Sequence, residues 1–120
     1  MENIKLFMLM ELRDAYAYIA EHNTNVAIHL HWITTQRAPK CFVRDVRKGY
    51  PIAHVFCQDK QTLIELAKRH KIHKIFIDNE DEHGQHIDFC GKPLRTLLES
   101  IGESIEHYRK PVELKRRDDA

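Results

Sequence analysis

Residues 52–78 read IAHVFCQDKQTLIELAKRHKIHKIFID, and this stretch decides the fold. Its first residues are mostly apolar, which predicts a strand over Ile52–Cys57 with Ile52, His54 and Phe56 on one face. Asp59 is a good N-cap for the amphipathic helix that follows. Ile72–Asp78 then alternates as a second strand. A strand–helix–strand unit of this kind predicts a crossover whose two strands run parallel in one sheet.

The next informative stretch is His83–Cys90, which reads HGQHIDFC. His86, Asp88 and Cys90 alternate with two apolar residues, so a strand would present all three on one face. The acidic loop before them contains Gly84, a common turn residue. We therefore predict that this strand forms a hairpin with the strand that ends at position 78.

The remaining elements extend this unit in both directions. Apolar residues at helical spacing predict a helix over Ile4–Glu21. Alternation predicts strands over Val26–Thr35 and Lys40–Val46, and Pro93 suits the first turn of a final amphipathic helix. The predicted order is α-β-β-β-α-β-β-α. We expect an α+β fold with a mixed sheet of about five strands and one βαβ crossover.

Length and charge restrict the class of protein. The 120 residues fit one α+β domain over residues 1–110, followed by a charged C-terminal tail over 111–120. The formal net charge of +1 gives no global field, so we expect neither nucleic acid nor a membrane as a partner. The apolar start is too short for a membrane span and unlike a signal peptide. Three cysteines without a C-x-x-C pair predict reduced thiols and a cytoplasmic protein.

His86 and Asp88 form the strongest candidate for a metal site. Residues two apart on a strand are roughly 6.6 Å apart at Cα, so both side chains can converge on one ion. Cys90 lies roughly 13 Å from His86 by the same rise and cannot join them unless the strand bends. The pair is at most half of a site, and His54 and Asp45 are candidates for the other half. The alternative is a surface pair together with a core histidine whose hydrogen bonds are satisfied.

Two other groups of residues have weaker signals. His29 and His31 are spaced like a metal motif, but no acidic residue adjoins them, so a solvated strand face is the favoured interpretation. Lys92 and Arg95 lie at the start of the last helix, where helix N-termini attract anions. The alternative for this pair is a solvated first turn.

Several segments occur in an order and spacing that resemble a known family: Phe42–Arg47, His54–Asp59, Leu63–Ala67 and His86–Asp88 with Arg95. Over residues 40–101 the chain resembles a small domain of phage and bacterial proteins, the domain of unknown function 4031. Arg44 stands where that pattern has an acidic residue, and the spacing from His54 to Asp59 is one residue longer. The resemblance implies no named activity. It implies that the following residues belong together: Asp45, His54, Asp59, His86, Asp88 and Arg95.

Two functions follow as hypotheses. The first is a small cytoplasmic phage or bacterial domain with hydrolase-like chemistry, a divalent metal cofactor and a phosphate-bearing ligand. Its catalytic residues would be His86, Asp88 and His54, its metal ligands Asp45, His54, His86 and Asp88, and its ligand-binding residues Arg95, Lys92 and Asp59. The second is a non-catalytic protein-binding module, such as a phage-encoded inhibitor of a host defence complex, acting as a monomer or a homodimer. The apolar residues 4–10 and the Leu94–Ile105 stripe motivate it.

Overall fold

A mixed sheet organises the part of the chain that the computed structural model describes, residues 3–32 and 50–109. The five strands within these ranges lie in the order β1-β2-β3-β5-β4. The elements are β1 (Ile4–Phe7), α1 (Leu12–Glu21), β2 (Val26–Trp32), β3 (Pro51–Phe56), α2 (Lys60–Arg69), β4 (Ile77–Asp78), β5 (His86–Cys90) and α3 (Gly91–Ser100). Short 3-10 turns cover Leu9–Glu11 and Ile105–Tyr108. The predicted α+β class with a mixed sheet is confirmed.

The two faces of the sheet are covered by different helices. On one face, Ile28, Val55 and Phe89 belong to a buried cluster that includes leucines of α2 and α3. On the other face, which we call the α1 face, Ala27 and Phe56 pack against residues of α1. Successive side chains of a strand point to opposite faces, so the predicted alternation along β2 and β3 is what separates the two clusters.

The N-terminal segment differs from its predicted helix. Ile4–Phe7 forms β1, which pairs in parallel with β2, and α1 begins only at Leu12. Pairing with β2 gives hydrogen bonds to the backbone groups on one side of this short run and buries Phe7, and these gains outweigh its helical periodicity. The order of described elements is therefore β-α-β-β-α-β-β-α. The strand predicted over Lys40–Val46 lies outside the described residues.

The predicted crossover is present in the sheet. Strands β3 and β4 are both antiparallel to β5, which lies between them, so they run parallel to each other with α2 between them in sequence. The hairpin of β4 and β5 is also confirmed. Strand β4 is shorter than predicted, because Ile72 instead joins the core after α2, where its N–H donates to the Ala67 carbonyl.

Two sequence expectations concern the membrane and the thiols. No helix within residues 3–32 and 50–109 is long and apolar enough to cross a membrane. Cys57 keeps a buried thiol that donates to the Asn23 carbonyl. Cys90 is disulfide-bonded, so the expectation that every thiol is reduced is wrong at this residue.

The core of the sheet can be tested at Phe89, which is fully buried beneath α2 and α3. We expect Phe89→Ala to lower the free energy of unfolding by about 3–5 kcal/mol, because it removes a large apolar side chain and leaves a cavity. Urea denaturation measures this change. Phe76→Ala is the matched control, since Phe76 is 49% exposed, and it should cost less than about 1 kcal/mol. Equal losses in the two variants would contradict the assigned core.

Candidate metal centre

A row of polar side chains crosses the α1 face where three strands lie side by side. In the sheet register, His29 of β2 pairs with His54 of β3, and His54 pairs with Asp88 of β5. Directly paired residues point to the same face with Cβ atoms roughly 5 Å apart. The fold therefore brings side chains that are far apart in sequence into one line.

His54 and Asp88 make the shortest contact in this row. The Nδ1 atom of His54 lies 2.7 Å from Oδ1 of Asp88. Because a carboxylate accepts hydrogen bonds, the Nδ1–H group of His54 donates to it, which leaves Nε2 as the unprotonated atom of a neutral ring.

His86 sits at the beginning of β5, beside two carboxylates. Its Nδ1–H donates to the Gly84 carbonyl at 2.7 Å, so the Nε2 atom of His86 is left open for a cation. That Nε2 atom lies 3.5 Å from Oδ1 of Asp88 and 3.5 Å from Oδ2 of Asp78. A lone pair facing two carboxylates is unfavourable, so this position favours either a proton on His86 or another cation.

His54, His86 and Asp88 together meet the spacing of a metal site. Each residue offers one ligand atom, and these atoms all lie within 4.8 Å of one another. The side chains of Asp88 and His86 are 14% and 11% exposed, whereas that of His54 is 32% exposed. The candidate centre is therefore set into the sheet face and opens to the outside beside His54.

The loop before β5 fixes the position of His86. The buried side chain of Gln85 donates to the Cys57 and Gln58 carbonyls, and its Oε1 accepts from the Asp81 N–H. Gly84 has a φ of 82°, a left-handed conformation that glycine adopts at little cost. These contacts hold the Gly84 carbonyl where it accepts the hydrogen bond from His86.

The titration of the cluster follows from burial and from its neighbours. Burial alone would raise the pKa of Asp88, but hydrogen bonds and charge from His54 and His86 outweigh it and hold that pKa far below its usual range. Burial alone would lower the pKa of His86, but the contact with Asp88, the Gly84 carbonyl and the charge of Asp78 raise it. Asp88 is therefore a carboxylate at neutral pH and is ready to bind a cation.

A cavity of about 370 Å³ lies over the centre on the α1 face. The described residues that line it are Leu9, Leu12, Tyr16, His29, His31, His54, Phe56, Asn79, Gly84 and His86. His29 is 5% exposed, and its Nε2–H donates to the Leu9 carbonyl at 3.0 Å. Nδ1 of His29 and Nε2 of His31 are buried, and neither has a hydrogen-bond partner among residues 3–32 and 50–109. The prediction of a solvated strand face is therefore wrong for His29, because the turn before α1 folds over it.

The structure brings together three of the predicted site residues. His54, His86 and Asp88 converge, whereas Asp45 lies outside the described residues. Asp59 caps α2 and accepts from the Thr62 N–H.

The predicted anion-binding pair lies on α3, which packs against the face opposite the cavity. Arg95 is paired there with Glu106 at 3.2 Å. Lys92 is exposed in the first turn of the same helix. Neither residue lines the cavity in the described part of the chain.

Sequence reasoning missed Asp78 and the burial of His29. Asp78 ends β4 and pairs with His86, and the hairpin prediction alone would have placed a carboxylate opposite that histidine. The burial of His29 depends on the turn over Leu9–Glu11, for which the sequence gives no comparable signal.

Comparisons with protein-family models, with curated proteins and with solved structures find no match to this chain. The resemblance to the domain of unknown function 4031 stays a prediction. The assignment of the centre rests on its geometry.

The pH dependence of stability tests the environment of His31. Burial first, and then the neighbouring His54 and His29, lower the pKa of His31 from 6.5 to about 4. Between these values the unfolded chain binds more protons, so His31 stabilises the fold above pH 6.5 and this stabilisation is lost as the pH falls towards 4. We expect the free energy of unfolding of the metal-free protein to fall by on the order of 1–2 kcal/mol between about pH 7 and about pH 4.5 because of His31, allowing for its partial exposure.

Urea denaturation at the two pH values measures this loss, and His31→Gln should remove it. The raised pKa of His86 acts in the opposite direction and is present in both proteins, so the difference between them reports on His31 and its coupling to the neighbouring imidazoles. His73→Gln is the control, because His73 is exposed in the turn after α2 and should keep the wild-type dependence. A His31→Gln variant that also keeps the full dependence would show that the environment of His31 is misassigned.

Proposed function

We propose that this chain is a metal-binding domain in which His54, His86 and Asp88 hold one divalent transition-metal ion, and that the ion serves hydrolase-like chemistry. The observation that carries the proposal is the convergence of their three ligand atoms within 4.8 Å. Two imidazoles and one carboxylate are a donor set found in catalytic zinc sites. Imidazole also suits iron, nickel and copper, so the donor set alone favours this group of metals over magnesium or calcium.

The hydrogen bonds around the ligands support the same proposal. His86 donates through Nδ1 to a backbone carbonyl, which leaves its Nε2 atom for the ion. A bond of this kind orients the imidazole and fixes its tautomer, and it commonly accompanies metal-ligating histidines. His54 instead contacts Asp88, itself a proposed ligand, through Nδ1 at 2.7 Å, so an ion held by both residues would replace the proton between them. The carboxylate of Asp78, 3.5 Å from His86, adds negative charge that favours a cation.

The hydrolase-like part of the proposal follows from the number of ligands. The described residues supply three protein ligands, and three leave a coordination position open, as in catalytic zinc sites, whereas structural sites are closed by four. The open position would face the cavity, which His54 and His86 both line. A divalent ion held there would supply Lewis acidity for hydrolysis. The phosphate-bearing ligand expected from Arg95 has less support, because that guanidinium is paired with Glu106.

Metal affinity tests the proposal directly. We expect Zn²⁺ to bind the metal-free protein at one site and to raise its melting temperature. Removing one of three ligands should weaken binding at least about 100-fold in His86→Ala and in His54→Ala, given that loss of an outer-shell partner alone costs 10–100-fold. Isothermal titration calorimetry measures the affinity.

His73→Ala is the matched control, since it removes an exposed imidazole away from the centre and should leave the affinity unchanged. Zinc-loaded wild-type protein should also hydrolyse p-nitrophenyl acetate faster than zinc-loaded His86→Ala. Equal zinc affinity in wild type, His86→Ala and His54→Ala would rule out the proposed ligands.

A second candidate function, binding to a second copy of the chain, has one observation in its favour. Three large apolar residues within a four-residue stretch, Leu9, Met10 and Leu12, are exposed, and Met10 is 93% exposed. Clustered exposed apolar side chains are typical of protein contact surfaces.

If these residues form a homodimer contact, the wild-type protein should have twice the chain mass by light scattering. Met10→Glu should then be monomeric, because it would bury a charge in the contact. Met10→Gln is the uncharged control. A wild-type protein that stays monomeric at high concentration would exclude this homodimer.

A further inference from the structure

We propose that the cavity over the metal centre takes an organic ligand whose metal-binding oxygen head is at most singly charged and is joined directly to an apolar chain or ring. The inference rests on the proposed metal site and adds the chemical class of its ligand. An apolar ester or other acyl compound fits this class, whereas a nucleotide or a free phosphate does not.

The walls of the cavity differ in chemistry. Imidazoles of β2, β3 and β5 and the ring of Phe56 lie on the sheet face that forms its floor, and the apolar side chains of Leu9, Leu12 and Tyr16 also line it. A volume of about 370 Å³ lies within the range of sites for small organic molecules. Such sites are mostly apolar, with a few polar groups that orient the ligand.

The apolar wall begins directly beside the proposed metal ligands. The ring centroid of Phe56 lies 5.1 Å from that of His86 and 5.9 Å from that of His54. Tyr16 continues the wall, with its ring centroid 5.1 Å from that of Phe56. If the ion binds the oxygen head of a ligand, the ligand atoms bonded to that head would lie against aromatic rings. The head would therefore be joined directly to an apolar group.

The charges around the cavity disfavour a polyanionic head. None of the described residues that line it is a lysine, arginine, aspartate or glutamate. The carboxylates of Asp78 and Asp88 lie close beneath His86 and would repel a second negative charge. Phosphate recognition commonly uses arginine or lysine, and Arg95 is committed to Glu106 on the other face.

The two leucines at the mouth supply a driving force for an apolar group. Leu9 and Leu12 line the cavity, and both are among the exposed large apolar residues of the described chain. A ligand chain that covers them removes apolar surface from water, which stabilises the complex in proportion to the area buried. Met10 is exposed between them but does not line the cavity.

Two hydroxamates with the same metal-binding head test the inference. Octanohydroxamate carries a seven-carbon chain, whereas acetohydroxamate carries one methyl group. We expect zinc-loaded wild-type protein to bind octanohydroxamate roughly 100-fold more tightly, since several methylene groups would be buried. The ratio should fall below about tenfold in the Leu9→Ser/Leu12→Ser double variant. Isothermal titration calorimetry after a zinc assay gives both affinities.

Phe76→Ser is the matched control, because Phe76 is exposed and is not among the described residues that line the cavity, and it should keep the wild-type ratio. A ratio near one on zinc-loaded wild-type protein would overturn the apolar ligand and leave the metal site intact. Inorganic phosphate that binds more tightly than octanohydroxamate would overturn it as well. Protein that takes up no zinc would overturn the metal site and this inference together. If the double variant does not fold, the wild-type ratio still decides.

Discussion

The antiparallel pairing of β3 with β5 is the constraint on which the candidate site depends. Its register sets His54 opposite Asp88 and Phe56 opposite His86. A slip of one residue would turn every side chain of one strand to the other face of the sheet. The register is held because both strands bury apolar residues on the opposite face, among them Val55 and Phe89. The same packing that stabilises the sheet therefore aligns the polar cluster.

This cluster is an unusual element of a sheet face that is otherwise apolar near α1. Buried polar groups are costly unless they are hydrogen-bonded, and the fold satisfies one nitrogen each of His29, His54 and His86. Within the described residues, the buried Nδ1 of His29 and Nε2 of His31 keep no hydrogen-bond partner. The bond from His86 to the Gly84 carbonyl leaves Nε2 of that ring available to a cation, and it would belong to the outer hydrogen-bonding shell of the proposed metal centre.

Local patterns in the sequence predicted part of this centre. Period-two alternation predicts that His86 and Asp88 share one strand face, and His54 is a candidate ligand from a second strand. Their convergence depends on strand register, which comes from tertiary packing and not from any local signal. The resemblance implies that Arg95 belongs with these residues, but α3 packs on the opposite face of the sheet.

Two other differences between the sequence predictions and the structure have causes in tertiary packing. The run over Ile4–Phe7 is too short for its period to distinguish a helix from a strand, and the neighbouring β2 decides in favour of a strand. Alternation along β2 correctly predicted which side chains share a face. It could not show that the turn over Leu9–Glu11 covers His29 and converts a solvated face into the floor of a cavity.

The most direct test of the central claim is X-ray absorption spectroscopy of the zinc-loaded protein at the zinc edge. Coordination by His54, His86 and Asp88 predicts imidazole nitrogens and a carboxylate oxygen at about 2.0–2.2 Å, with imidazole scattering that falls by half in His86→Ala. A spectrum with sulfur at about 2.3 Å, or with no imidazole scattering, would contradict the assigned centre.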